Sequence, residues 1–174
     1  MNLTRTILPS ATAKAGAKTA AVRHRGRRFI RLLLAGPGSV RPWAARWAVT
    51  LLAVAGAALL VWSGIIHLML WNDGYQDISV IGPLFLVQGI GGIVIAAAIV
   101  VFRRLLVLAA GAVTLGATAV GLLLSVHVGL FGYRESLAIP YAELSLTVEF
   151  TGAAILAIAA AIIAAMAFRD RANP

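Results

Sequence analysis

Of the 174 residues, 61% are hydrophobic and 12% are charged, and cysteine is absent; the mean hydropathy is +0.94. Soluble domains are about 45–50% apolar and about 25% charged, so this composition excludes an ordinary soluble enzyme, a disordered chain and a disulfide-stapled secreted module. Without cysteine, thiol catalysis, thiolate metal sites and Cys-linked haem are excluded too. The net charge of +9 would by itself suggest nucleic acid, but its distribution along the chain points to membrane topology.

Residues 1–45 contain no acid, and Ala11–Arg28 is small, polar and basic, a composition that reads as a disordered tail. Phe29–Leu34 is too short to span, and Gly36-Pro37-Gly38 breaks whatever helix it starts. Arg23, Arg25, Arg27, Arg28 and Arg31 are the candidate contacts to anionic lipid, each worth about 1 kcal/mol near such a surface. No aromatic residue interleaves the basic ones before Phe29, which argues against nucleic acid. An Arg-rich, acid-free N-terminus also fits an organellar targeting segment.

Four apolar blocks follow: Ala48–Leu70, Pro83–Phe102, Leu105–Leu130 and Leu146–Phe168. A hydrocarbon core of roughly 30 Å needs about 20 helical residues, so each block is long enough. No period-2 alternation is present, which favours helices over a barrel. The first block is too long for a secretory h-region and has no small-x-small cleavage site after Trp71, so it reads as a retained anchor. Arg103-Arg104 leaves room only for a tight turn between the second and third blocks. The two other connections hold Asn72-Asp73-Gly74, Gly82-Pro83 and Ile139-Pro140, all turn formers.

Fourteen of the fifteen basic residues fall in the first 46 residues, the central turn and the C-terminus. The other two connections hold Arg134 alone, against Asp73, Asp77, Glu135 and Glu143. The positive-inside rule then predicts both termini in the cytoplasm and the acidic connections outside. The expected fold is all-α: a polytopic four-helix bundle in the cytoplasmic membrane.

The sequence repeats itself. His67-Leu-Met-Leu-Trp71 and then Gly74-Tyr75-Gln-Asp77 match His127-Val-Gly-Leu-Phe131 and then Gly132-Tyr133-Arg-Glu135. Val87-Gln88-Gly-Ile-Gly91-Gly92 matches Val148-Glu149-Phe-Thr-Gly152-Ala153. Two helical hairpins of the same sense imply parallel duplication about an axis along the membrane normal. His67 and His127 are then expected at equal heights near the outer face, and Gln88 and Glu149 at a common level. Polar groups inside a membrane are costly unless paired, so all four are expected to face the bundle. Gly56, Leu60, Ser63 and Gly64 share the face of His67; Gly152, Ala153, Leu156 and Ala160 share that of Glu149.

For this His/Gln/Glu layer two readings stand. In the first it orders the bundle of a small structural or accessory membrane subunit through interhelical hydrogen bonds. In the second it binds a metal, haem, quinone or proton, with imidazole and carboxylate as ligands or relays. The acidic connections read as a solvated surface with interfacial tyrosines and have no EF-hand spacing. No GxSxG, HExxH or Walker pattern indicates an enzyme. A homo-oligomer or a larger membrane complex is compatible with the low charge and the many small residues.

The stretch from His67 through Asn72-Asp-Gly-Tyr-Gln-Asp77 to Val87-Gln88 resembles a signature of small four-span membrane proteins of actinobacteria. Leu130-Phe-Gly-Tyr-Arg-Glu135 and Leu144-Ser-Leu-Thr-Val-Glu149 resemble the second half of that family. The resemblance covers roughly Ala45 to Phe168 and implies class and host range, since the family has no assigned activity. The architecture is also similar to that of DoxX-like four-helix proteins, as an analogy of fold alone.

Overall fold

The computed structural model describes residues 26–27, 30–40, 42–138 and 141–172. Four long helices dominate: α1 (Trp43–Asn72), α2 (Ile81–Phe102), α3 (Leu105–His127) and α4 (Ala142–Ala172). Each is long and apolar enough to cross a membrane, and together they make the four-helix membrane bundle expected from the sequence. Strand pairing among the described residues is limited to one bridge between Leu130 and Tyr133. The bundle has a basic end, with the Arg103-Arg104 turn, and an acidic end, with the two longer connections.

Leu51, Val87, Val101 and Val113 are among many large apolar side chains exposed on the outside of the bundle. A water-soluble protein rarely shows so continuous an apolar surface; in a bilayer it faces lipid tails. Trp43 and Trp47 stand exposed at the start of α1, where indole rings suit a headgroup boundary. The interior is narrow and built largely of Ala, Leu and Ile, with Leu60, Ile99, Leu108, Leu115, Leu156 and Ile163 fully buried.

Small residues let the helices approach. A Cβ on Gly64 would lie 2.9 Å from the Gly89 carbonyl, and one on Gly89 would lie 3.1 Å from the Gly64 carbonyl. Helices α1 and α2 therefore touch backbone to backbone, the usual role of small residues in membrane helix pairs. Of the faces read from sequence, Gly56, Leu60, Ser63 and Gly64 are buried, as are Gly152, Leu156 and Ala160, while Ala153 is half-buried.

Helix limits differ from the sequence reading at several points. Helix α1 begins at Trp43 rather than near residue 48, and α4 begins at Ala142, so Glu149 lies seven residues inside its helix instead of three. Ile139 and Pro140 lie outside the described residues. Residues 35–40, read as part of a free tail, pack on the bundle: Ala35 and Val40 are buried. The Leu105 N–H donates to the Ala35 carbonyl at 2.8 Å, and the Arg104 guanidinium donates to the Leu34 carbonyl at 2.6 Å. These bonds satisfy a donor of the first turn of α3 that has no partner within the helix. Arg103, in the left-handed region at φ 46°, makes the tight turn that ends α2.

The two hairpins, α1–α2 and α3–α4, do not pack symmetrically. Helix α1 lies closely against α4, whereas the repeat-equivalent contact of α3 with α2 is much smaller. A Cβ on Gly152 would meet Leu115 at 2.6 Å and Leu59 at 3.1 Å, but its equivalent, Gly91, has nothing within 4 Å. Likewise Gly56 is filled by Leu156 while Gly116, sixty positions on, is open. One of the two equivalent seams is closed and the other gapes.

Candidate functional site

The gap between α2 and α3 holds a cavity of about 520 Å³ that runs from the acidic-end connections down to Val113 and Thr114. From Ser125 to Val113 it follows α3 for roughly 18 Å at 1.5 Å per residue. Its walls include Leu70, Ile81, Leu84, Phe85, Leu122 and Leu130, with His67, Gln88, Ser125, Ser145 and Glu149 as polar groups. Val113 is 69% exposed and Leu84 47%, yet both line the cavity, so it opens sideways onto the lipid-facing surface.

Glu149 is fully buried. Its Oε1 accepts hydrogen bonds from the Ser145 hydroxyl at 2.9 Å and the Ser63 hydroxyl at 3.1 Å. Its Oε2 has no partner. Ser145 lies one helical turn before Glu149, and Ser63 reaches across from α1. The Ser63 carbonyl also accepts the Nδ1–H of His67 at 2.8 Å, so in the neutral ring Nε2 is the acceptor. His67 is buried and its ring tilts against Phe85, with centroids 4.9 Å apart.

Gln88 is half-buried on α2. It lies seven residues after the first residue of its helix, as Glu149 does in α4, and both residues line one cavity. Its Nε2 has no partner, and neither has the Ser125 hydroxyl. Three buried polar atoms on α2, α3 and α4 are thus unpaired, and all three residues line one cavity.

His127 departs from expectation. It is exposed, and its Nδ1–H is turned back to the Leu123 carbonyl at 2.8 Å. The cause is local: α3 ends at His127, and Gly129 takes a left-handed φ of 82°. In the first copy α1 continues five residues past His67, which keeps that ring inside the bundle. Arg134 donates to the carbonyls of Val126 and His127, a cation placed on the negative end of α3.

Of the four acids in the connections, Asp73, Asp77 and Glu143 are exposed, as a solvated surface requires. Glu135 is not: it is buried and roofs the cavity. The Tyr75 hydroxyl donates to its Oε2 at 2.7 Å, the Tyr133 hydroxyl to the same oxygen at 3.2 Å, and the Ser136 N–H to its Oε1 at 3.0 Å. The tyrosine rings meet edge to face at 5.9 Å, and Tyr75 stacks on Phe85 at 4.8 Å. The two Gly-Tyr copies of the repeat therefore converge on a single carboxylate. Burial above all, and then the neighbouring Tyr133 and Glu135, hold the Tyr75 phenol well above its ordinary value; burial also raises that of Tyr133.

Ser63 is placed on the His67 face by spacing, and Ser145 could have been found in the same way. Each lies four residues before a candidate group, His67 and Glu149, and so on the same helix face. Glu135 and the tyrosines had no such signal, because connections have no period. Of the candidate lipid contacts, Arg27 and Arg31 are exposed; Arg23, Arg25 and Arg28 lie outside the described residues. No group of three or more His, Asp or Glu among the described residues is placed to hold a metal ion. Comparison of the chain with family models, curated proteins and solved structures gave no match.

Proposed function

We propose that this multi-pass membrane protein binds a lipid-soluble molecule with a polar head in the cavity between α2 and α3. The observation that supports this most is the set of unpaired atoms at Gln88, Ser125 and Glu149 around one cavity. Native proteins leave few buried polar groups without partners, and each such group costs about 1–3 kcal/mol. Three around a single space of ligand size are explained together by one occupant. The sideways opening at Val113 and Leu84 supports access from the bilayer.

The bonds from Ser63 and Ser145 to Glu149 favour a second reading, in which the polar layer orders the bundle of an accessory subunit. The two readings share Glu149, one through Oε1 and the other through Oε2. A haem held by both histidines has no support, because His127 is exposed and does not line the cavity that His67 lines. The resemblance of residues 67–88 supports membership among actinobacterial four-span proteins of the cytoplasmic membrane. The exposed Arg27 and Arg31 suit an anionic lipid surface.

The test is to purify the protein in mild detergent, extract it with organic solvent and identify bound lipophiles by mass spectrometry. A near-stoichiometric compound is expected in the wild type and absent from Gly121→Phe, which fills the cavity from α3. An empty protein that gains no thermal stability from any member of a lipophile library would overturn the binding reading in favour of the accessory one.

A further inference from the structure

We propose that the occupant is a lipophilic amine, held as its ammonium ion against Glu149 with its apolar body lying between α2 and α3. This rests on the binding reading above and adds the charge and hydrogen-bonding sense of the ligand.

Charge is the first ground. The residues lining the cavity include two carboxylates, Glu135 and Glu149, and among the described lining residues there is no lysine or arginine. The one basic residue of the acidic-end connections, Arg134, is engaged on the carbonyls that end α3. An anionic head, whether carboxylate or phosphate, would sit in an apolar space beside like charge, where repulsion is little screened.

Hydrogen-bonding sense is the second. Oε1 of Glu149 is occupied by two serine hydroxyls while Oε2 is free. The neutral ring of His67 has its one N–H on Ser63, which leaves Nε2 as an acceptor. The Ser125 hydroxyl can accept, and the Gln88 amide can present either end. A cavity with so many spare acceptors matches the N–H donors of a protonated amine. The rings of Phe85 and Tyr133 also line the cavity, and a π-system attracts a cation.

The experiment uses the full chain in nanodiscs of zwitterionic lipid, titrated with dodecylamine and, separately, with dodecanol. Empty nanodiscs give the partition background. The amine is expected to bind saturably and at least about tenfold tighter than the alcohol, a difference of about 1.4 kcal/mol. Glu149→Gln, whose amide oxygen still accepts from both serines, is expected to abolish that preference. Asp77→Asn, on the exposed surface, is expected to preserve it. Dodecanol binding as tightly as the amine would overturn the ammonium assignment and leave the cavity reading standing. No saturable binding of either probe would overturn both. The wild-type ratio decides the matter by itself if the Glu149 variant does not fold.

Discussion

Ser63 on α1 donates its hydroxyl to Oε1 of Glu149 on α4, 86 positions away, while the second oxygen of the same carboxylate meets nothing. One side chain is thus both a fastening between helices and an unmet acceptor at a cavity. Ser145 shares the fastened oxygen. Ser63→Ala is expected to lower stability by about 1 kcal/mol, the usual size of an interhelical bond in a membrane protein. The double variant with Ser145→Ala is expected to cost more than the sum, because Glu149 then has no hydrogen bond at all. Reversible unfolding in mixed micelles measures both.

The two histidines are expected to behave differently in spite of their matching motifs. His67→Phe removes the bond to the Ser63 carbonyl from a buried position and is expected to destabilise by about 1–2 kcal/mol. His127→Phe lies on an exposed helix end and is expected to stay within about 0.5 kcal/mol of wild type. Parallel unfolding curves of the two variants check this, and equal losses would contradict the placement of His127.

The unequal seams give a glycine test. Gly152→Leu forces a side chain onto Leu115 and Leu59 and is expected to disrupt the bundle, lowering stability by about 2 kcal/mol or more. Gly91→Leu, at the repeat-equivalent position with open space around it, is expected to be near neutral. Yield and thermal midpoint in detergent distinguish them.

The tyrosine cluster sets a pH dependence. The Tyr75 phenol is raised above its ordinary value near 10, so the folded state holds its proton more tightly than the unfolded state does. Its contribution is fully present below pH 10 and is lost as pH rises beyond that, since the folded protein then binds more protons than the unfolded. Thermal midpoints of wild type and Tyr75→Phe are therefore expected to differ by a constant amount up to about pH 9 and to converge at higher pH.

Orientation follows from charge. Reporter fusions at Gly74 are expected to read outside and fusions at Arg103 inside. An outside signal from Arg103 would reverse the assignment of both termini.

Much of this architecture was legible in the sequence, and the rest has identifiable reasons for having been hidden. The spans followed from apolar length, and the buried faces from small residues at helical spacing beside His67 and Glu149. The pairing of Gln88 with Glu149, which line one cavity, followed from the repeat. His127 misled because orientation at a helix end depends on where the helix stops. In the first copy α1 runs on to Asn72, whereas in the second α3 stops at His127 and Gly129 takes a positive φ. Glu135 was hidden because its burial is made by Tyr75, sixty positions away, and no local pattern reports a contact at that distance. The cavity was hidden for a related reason: a duplicated sequence predicts two equal seams, and only the packing reveals that one of them is open.

The short segment docked at the basic end has a mechanical consequence. The carbonyls of Leu34 and Ala35 clip the turn between α2 and α3 by its side chain and its backbone, directly below the pair of helices that stand apart above. The two-residue turn keeps those helices together there, and the clips hold its α3 side in place. Any breathing of the gap must therefore pivot about Arg103 and Arg104, like the jaws of a peg about its spring. The amplitude then grows along the helices from that turn toward Gln88 and Ser125.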